Sequence, residues 1–246
     1  MRRYPSSPYT SSFSFGPGPI STALKALIGA NVALFFVQAF VSLNTTLGLV
    51  PELVIHNLYV WQLATYMFLH AGLLHLLFNM LALWMFGGEM EHVWGTQYFL
   101  KFYFICGVGA AVLTVLFSLL PFNFAAVLRD IPTIGASGAI YGLLLAYAMY
   151  FPNRTIYYIV FPIPAKYFVL IIGLISFYSS LGPGNGIANA THLGGLLIAY
   201  LLLRGRTLHP FAEVKYRYLK WRINRVRKKF DVYSGGRADD WDRRVH

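Results

Sequence analysis

FLKFYFICGVGAAVLTVLFSLL, residues 99–120, carries a single charged side chain, Lys101, in 22 positions. A helix in a soluble core alternates apolar and polar faces, and this stretch has no polar face. A helix crossing the roughly 30 Å hydrocarbon layer of a bilayer needs about 20 consecutive apolar residues. The stretch therefore predicts a membrane span.

Working outward, five more apolar runs appear at about 23–43, 73–88, 134–151, 167–181 and 187–203. The fourth and sixth spans of the series are short for a full crossing. Composition agrees: 57% of the 246 residues are hydrophobic and 12% charged, against about 25% charged in a soluble domain. The expectation is an all-α membrane protein whose one integral domain, 23–203, holds six spans joined by short loops. The longest connection, 44–72, is apolar, broken by Pro51, and carries Tyr59, Trp61 and Tyr66. Aromatic residues of this kind suit the membrane–water interface.

The net charge is +11, and 13 of the 20 basic residues lie from Arg204 onward. No Lys or Arg occurs between residues 26 and 100. A basic flank abutting a membrane span marks the cytoplasmic side and contacts anionic lipid, so membrane lipid and not nucleic acid is the expected partner. Loop charges alternate in the order in-out-in-out-in-out-in, with both termini cytoplasmic. Residues 1–22 read as a disordered tail. Residues 204–233 space Phe211, Val214, Tyr218, Trp221, Val226 and Phe230 at helical intervals among Lys and Arg. That pattern predicts a basic amphipathic helix on the inner membrane surface, with a solvated extension of the last span as the other reading. Residues 234–246 read as disordered. The one cysteine, Cys106, leaves no disulfide framework and reads as a packing residue. No metal or cofactor is expected.

Hydrogen-bonding side chains inside spans are expensive and mark functional positions. Four stand out: His75 and Asn79 in the second span, Ser137 in the fourth and His192 in the sixth. Even-numbered spans run from outside to inside, and each of these residues lies in the first turns of its span. All four thus fall at similar depth, in the outer half of the bilayer. Ser137 sits in Gly135-Ala-Ser137-Gly138 at a loop-to-helix junction, where the unbonded N–H groups of a first helical turn favour negative charge. A serine hydroxyl needs a base within hydrogen-bond reach to become a nucleophile, and His192 can be that base. Tyr141 follows Ser137 by one turn on the same face. Gly138 and Gly142, like Gly195 and Ala199, form small-residue rows that let the fourth and sixth spans approach. No Asp or Glu lies in an apolar core nearby, so a Ser-His dyad fits better than a triad. His75 and Asn79, at i and i+4, supply donors for an oxyanion together with the Ser137 N–H.

The motif His70-Ala-Gly-Leu-Leu-His75-Leu-Leu-Phe-Asn79, the Gly-x-Ser-Gly at Ser137 with trailing Tyr141, and His192 followed by Gly194 and Gly195 resemble, in order and spacing, the rhomboid intramembrane serine proteases. The resemblance covers roughly residues 24–203. It implies a six-transmembrane-helix rhomboid bundle that cleaves transmembrane segments of single-pass proteins. Ser137 would be the nucleophile and His192 the base; His75, Asn79 and the Ser137 N–H would hold the oxyanion; Tyr141 would stack on His192. His70 would help keep water near the site. Gly135, Gly138, Gly195 and Asn189 would support it. Glu91 would tie the inner end of the second span to its neighbours. Trp61-Gln62 resembles the family's Trp-Arg pair with Gln in place of Arg. Two rivals stand against this reading: a catalytically inactive rhomboid-like protein that binds membrane clients, and a small transporter, which would spread polar residues over several depths. The bare six-span core suggests a bacterial cytoplasmic membrane.

Overall fold

The computed structural model describes residues 19–121, 129–158, 161–180 and 186–207. Contacts group residues 1–203 into one compact unit and 204–246 into a second, and the site lies within the first. Six longer helices dominate: α1 (Thr22–Gln38), α5 (Leu73–Trp94), α6 (Thr96–Ser118), α7 (Ser137–Tyr150), α8 (Ala165–Ser180) and α9 (Gly186–Thr207). Three short helices, α2 (Asn44–Leu47), α3 (Pro51–His56) and α4 (Gln62–Thr65), fold the connection between α1 and α5. Each of the six apolar runs read from the sequence falls on one long helix. Among the described residues α5 and α6 are long and apolar enough to cross a membrane, while α1, α7 and α8 are apolar but shorter.

Local chemistry sets the ends of these helices. The Ser21 hydroxyl accepts from the Leu24 N–H and caps α1, satisfying one of its orphan donors. The same hydroxyl donates to Glu91 Oε2 at 2.6 Å, and Thr96 Oγ1 donates to Glu91 Oε1 at 2.6 Å. One buried carboxyl thus ties the start of α1, the end of α5 and the start of α6. Gly95, at φ +76°, turns the chain from α5 to α6 in a single residue, a conformation that side chains with a Cβ resist.

α6 packs against α4, α5 and α7, and Phe99, Phe102, Tyr103 and Cys106 on it are fully enclosed. Outward faces are as apolar as the core: Leu73, Leu74, Leu77 and Phe78 on α5, and Leu170, Leu174, Ile175 and Phe177 on α8, are exposed. Contiguous exposed apolar surface on that scale is a liability in water and is satisfied by hydrocarbon.

The structure bears on the sequence reading in four places. The all-α expectation omits an antiparallel pair, β1 (Thr155–Tyr158) with β2 (Phe161–Pro164), in register Thr155 to Pro164. β-branched and aromatic residues favour strands, and Pro162 and Pro164 cannot serve a helix interior. The expected boundary at residue 22 falls inside a helix, because Ser21 and Thr22 already cap and begin α1; residues 1–18 lie outside the described part. α9 runs through Arg204 to Thr207, and the rest of the amphipathic segment to 233, with 234–246, also lies outside it. Tyr66, expected at the interface, is fully buried, because its hydroxyl donates to the Gly107 carbonyl at 2.8 Å. A satisfied hydroxyl lets the ring be spent on packing.

The 44–72 connection is a built element held by Gln62, which is fully buried. Its Oε1 accepts from the Val50 N–H at 2.9 Å, and its Nε2 donates to the Thr45 carbonyl at 2.8 Å. Beside it the Trp61 indole donates to the Thr46 carbonyl at 2.9 Å. Leu49 and Thr133 exchange two backbone hydrogen bonds of 2.9 Å. The connection thereby braces the loop that leads into Ser137.

Candidate active site

α7 begins at Ser137, so its backbone N–H belongs to the first turn and has no partner within the helix. The loop before it is fixed on two sides, by the Leu49–Thr133 bridge and by the Gly135 N–H, which donates to the Tyr66 carbonyl at 2.9 Å. Gly135 adopts φ +128°, in the region that only glycine enters freely.

α9 brings His192 to Ser137: Oγ and Nε2 lie 2.7 Å apart. α7 and α9 can approach this closely because a Cβ on Gly195 would run into the Gly138 carbonyl. A Cβ on Gly138 would in turn meet the Tyr66 hydroxyl at 2.9 Å and Thr191 at 3.0 Å. Thr191 and Thr114 share a hydrogen bond of 2.9 Å that fixes α9 against α6. Tyr141 stacks on the His192 ring, with centroids 4.1 Å apart and planes 10° from parallel. His192 Nδ1 is buried with no hydrogen-bond partner among the described residues.

α5 brings His75 to the other side of Gly135. A Cβ on Gly135 would lie 2.9 Å from His75 Cε1 and Nε2 and 3.6 Å from Ser137 Oγ. His75 Nδ1 accepts weakly from the Ala71 N–H, at 3.4 Å, which assigns the proton to Nε2, the nitrogen on the Gly135 side. Asn79 is buried on the same helix and donates to the His75 carbonyl at 2.9 Å, leaving a second amide hydrogen on that nitrogen. His70 lies at the edge of this group. Its ring meets His75 edge-on with centroids 5.0 Å apart, and both its nitrogens are buried without a partner among the described residues. Asn189 is half-buried one turn before His192. Glu91 stands apart, at the Ser21–Thr96 junction.

The arrangement places a hydroxyl against an imidazole, with an imidazole N–H and a first-turn backbone N–H nearby. That chemistry can remove a proton from the hydroxyl and receive negative charge on an adjacent oxygen. No group of three or more His, Cys, Asp or Glu able to hold a metal ion occurs among the described residues.

Sequence reasoning gave no role at the site to Tyr66, Thr133 or Ser176. Ser176, on α8, donates from Oγ to the Tyr141 hydroxyl at 3.1 Å. A hydroxyl inside an apolar span is the signal that singled out Ser137, and it applied equally to Ser176. Tyr66 and Thr133 hold the loop before Ser137 through backbone hydrogen bonds, which side-chain chemistry does not reveal.

Comparison with known proteins gives the same family as the motifs. The rhomboid domain model matches residues 57–206. The chain is 30% identical over 182 residues to RHOMBOID-like protein 2 of Arabidopsis thaliana, covering 74% of this chain and 52% of that protein. It is 34% identical over 139 residues to the rhomboid protease GluP of Bacillus subtilis, covering 56% of this chain and 24% of that protein. With the mitochondrial rhomboid protein 1 of Saccharomyces cerevisiae it shares 32% identity over 137 residues, 54% of this chain and 38% of the relative. The chain thus spans about half or less of the length of these relatives. The domain match, over more than half of the sequence, makes the chain a member of the rhomboid family.

Proposed function

We propose that the chain is an intramembrane serine endopeptidase that cleaves transmembrane segments of single-pass membrane proteins, with Ser137 as nucleophile and His192 as base. The observation that carries this reading is the 2.7 Å approach of Ser137 Oγ to His192 Nε2, in a chain whose family includes a bacterial relative named as a protease. In this reading α1, α5, α6, α7, α8 and α9 are six spans with both chain ends on the cytoplasmic side. The protein resides in a membrane as a multi-pass chain, and relatives from a plant, a bacterium and a yeast mitochondrion give no preference to a bacterial membrane.

Ser137 Oγ attacks the scissile carbonyl carbon as its proton passes to His192 Nε2. The carbonyl oxygen becomes an oxyanion that accepts from the Ser137 N–H, His75 Nε2–H and the Asn79 amide. The C–N bond then breaks, His192 returns its proton to the leaving amine, and an acyl ester remains on Ser137. Water, deprotonated by His192, attacks the ester; the ester C–O bond breaks as His192 returns the proton to Ser137 Oγ, and the new carboxyl terminus is released. The Tyr141 ring supports the imidazole through both steps. A substrate helix hides its carbonyls in its own hydrogen bonds, so local unwinding precedes attack and favours segments with Gly, Pro or polar residues near the outer boundary.

The test is purified protein in detergent with a panel of single-pass model substrates, beside Ser137→Ala and His192→Ala. Cleavage by wild type with both variants at background is expected, since removal of either member of such a pair typically costs 10³-fold or more. Equal cleavage by all three would assign the activity to a contaminant. A wild type that neither cuts nor reacts with a fluorophosphonate at Ser137 would favour a client-binding protein without catalysis.

A further inference from the structure

α8 leans on the bundle along one narrow stripe, because Ala165, Val169 and Ser176 are its buried residues. In its last three turns Ser176 alone is buried, at 2% exposure, while Leu170, Leu174, Ile175 and Phe177 face outward. A buried hydroxyl is costly unless bonded. In apolar helices serine and threonine usually bond back to a carbonyl of the preceding turn. Ser180 on the same helix does so to Phe177, and Thr114 on α6 does so to Ala110. Ser176 instead reaches across to α7 and donates to the Tyr141 hydroxyl.

That bond falls on the ring that lies flat against His192. A catalytic imidazole is ordinarily oriented by a hydrogen bond at the nitrogen that does not do the chemistry. Here Nδ1 has no such partner among the described residues, so the stack with Tyr141 is the visible restraint on the plane of the base. Stacking alone leaves a ring free to slide and tilt. A hydrogen bond at the far end of Tyr141 removes that freedom.

We propose that Ser176 is a positioning residue: it holds the Tyr141 hydroxyl, and through the Tyr141 ring it fixes the His192 imidazole against Ser137. The role rests on the protease reading above. It differs from packing because the relevant group is the hydroxyl and the relevant atoms are two residues away.

The experiment uses the full chain in detergent, as wild type, Ser176→Ala, Ser176→Thr, Tyr141→Phe and the Ser176→Ala/Tyr141→Phe double variant. The fluorophosphonate labelling rate at Ser137 is measured alongside kcat and KM on a model substrate and the melting temperature. Ser176→Ala is expected to lower the labelling rate and kcat about 3–10-fold, the range that one neutral hydrogen bond spans, with KM unchanged. Tyr141→Phe, which keeps the ring, should match it, and the double variant should lose no more than the worse single. Ser176→Thr, which keeps the hydroxyl, should recover most of the rate. The positioning role is overturned by wild-type labelling in Ser176→Ala, or by losses that multiply in the double variant while Ser176→Thr does no better than Ser176→Ala. Absence of labelling in wild type would overturn the protease reading, and the positioning role with it.

Discussion

Gly135 concentrates three demands on one residue. Its φ of +128° excludes a comfortable Cβ, the space where a Cβ would go is occupied by the His75 ring, and its N–H anchors the loop to Tyr66. Gly135→Ala therefore strains the backbone by about 1–3 kcal/mol and drives His75 away from Ser137. Loss of one oxyanion donor typically costs about 10²–10³ in rate, so kcat should fall by that order while the melting temperature drops only modestly. A variant with wild-type kcat would remove His75 from the oxyanion site. From sequence, Gly135 was legible as a glycine of the Gly-x-Ser-Gly motif, but the sign of its φ and its abutment on His75 were not. The spacing of Ser137 and Tyr141 was legible because one helical turn fixes it. Ser176 offered the same signal as Ser137, a hydroxyl in an apolar span, but its partner lies 35 residues away on another helix, and no local pattern records such a pairing.

At the scale of elements, hydropathy located the long helices because a bilayer demands long apolar runs; caps such as Ser21, which set their ends, came only from the structure. The 44–72 connection was not legible beyond its apolar character. Its helices, α2, α3 and α4, are four to six residues long, too short for a 3.6-residue period to register. What organises it is Gln62, at the position where the motif resemblance implies an arginine. A neutral amide suits the position, since it is fully buried and faces one backbone N–H and a carbonyl; it can accept and donate, whereas a guanidinium only donates. Gln62→Ala leaves the Val50 N–H unpaired in the interior, at a cost of about 1–3 kcal/mol. A lowered melting temperature in detergent is expected, with a smaller loss of activity because Leu49 and Thr133 still brace the loop before Ser137. An unchanged melting temperature would mean that the connection is held by other contacts.

Across the whole 19–203 unit, segments expected on the same side of the membrane meet each other. Leu49 pairs with Thr133, joining two connections read as external. Arg154 pairs with Glu89 at 3.1 Å, and Ser21 and Thr96 converge on Glu91, joining segments read as internal. A wrong assignment at α1, α5, α6 or α7 would have forced one of these partners through the bilayer. The agreement sets the start of α7 on the same side as the 44–72 connection, since Ser137 lies four residues after Thr133. Single introduced cysteines measure which side of the membrane that is, because the native Cys106 is buried and contributes no background. Leu58→Cys, at an exposed position of the first connection, should react with a membrane-impermeant maleimide on intact cells. Asn153→Cys, exposed between α7 and α8, should react only after permeabilisation. The reverse pattern would turn the molecule over and place Ser137 toward the cytoplasm, where outer-boundary cleavage of a substrate could not occur. Labelling of both from outside would break the six-span reading at a span between residues 58 and 153.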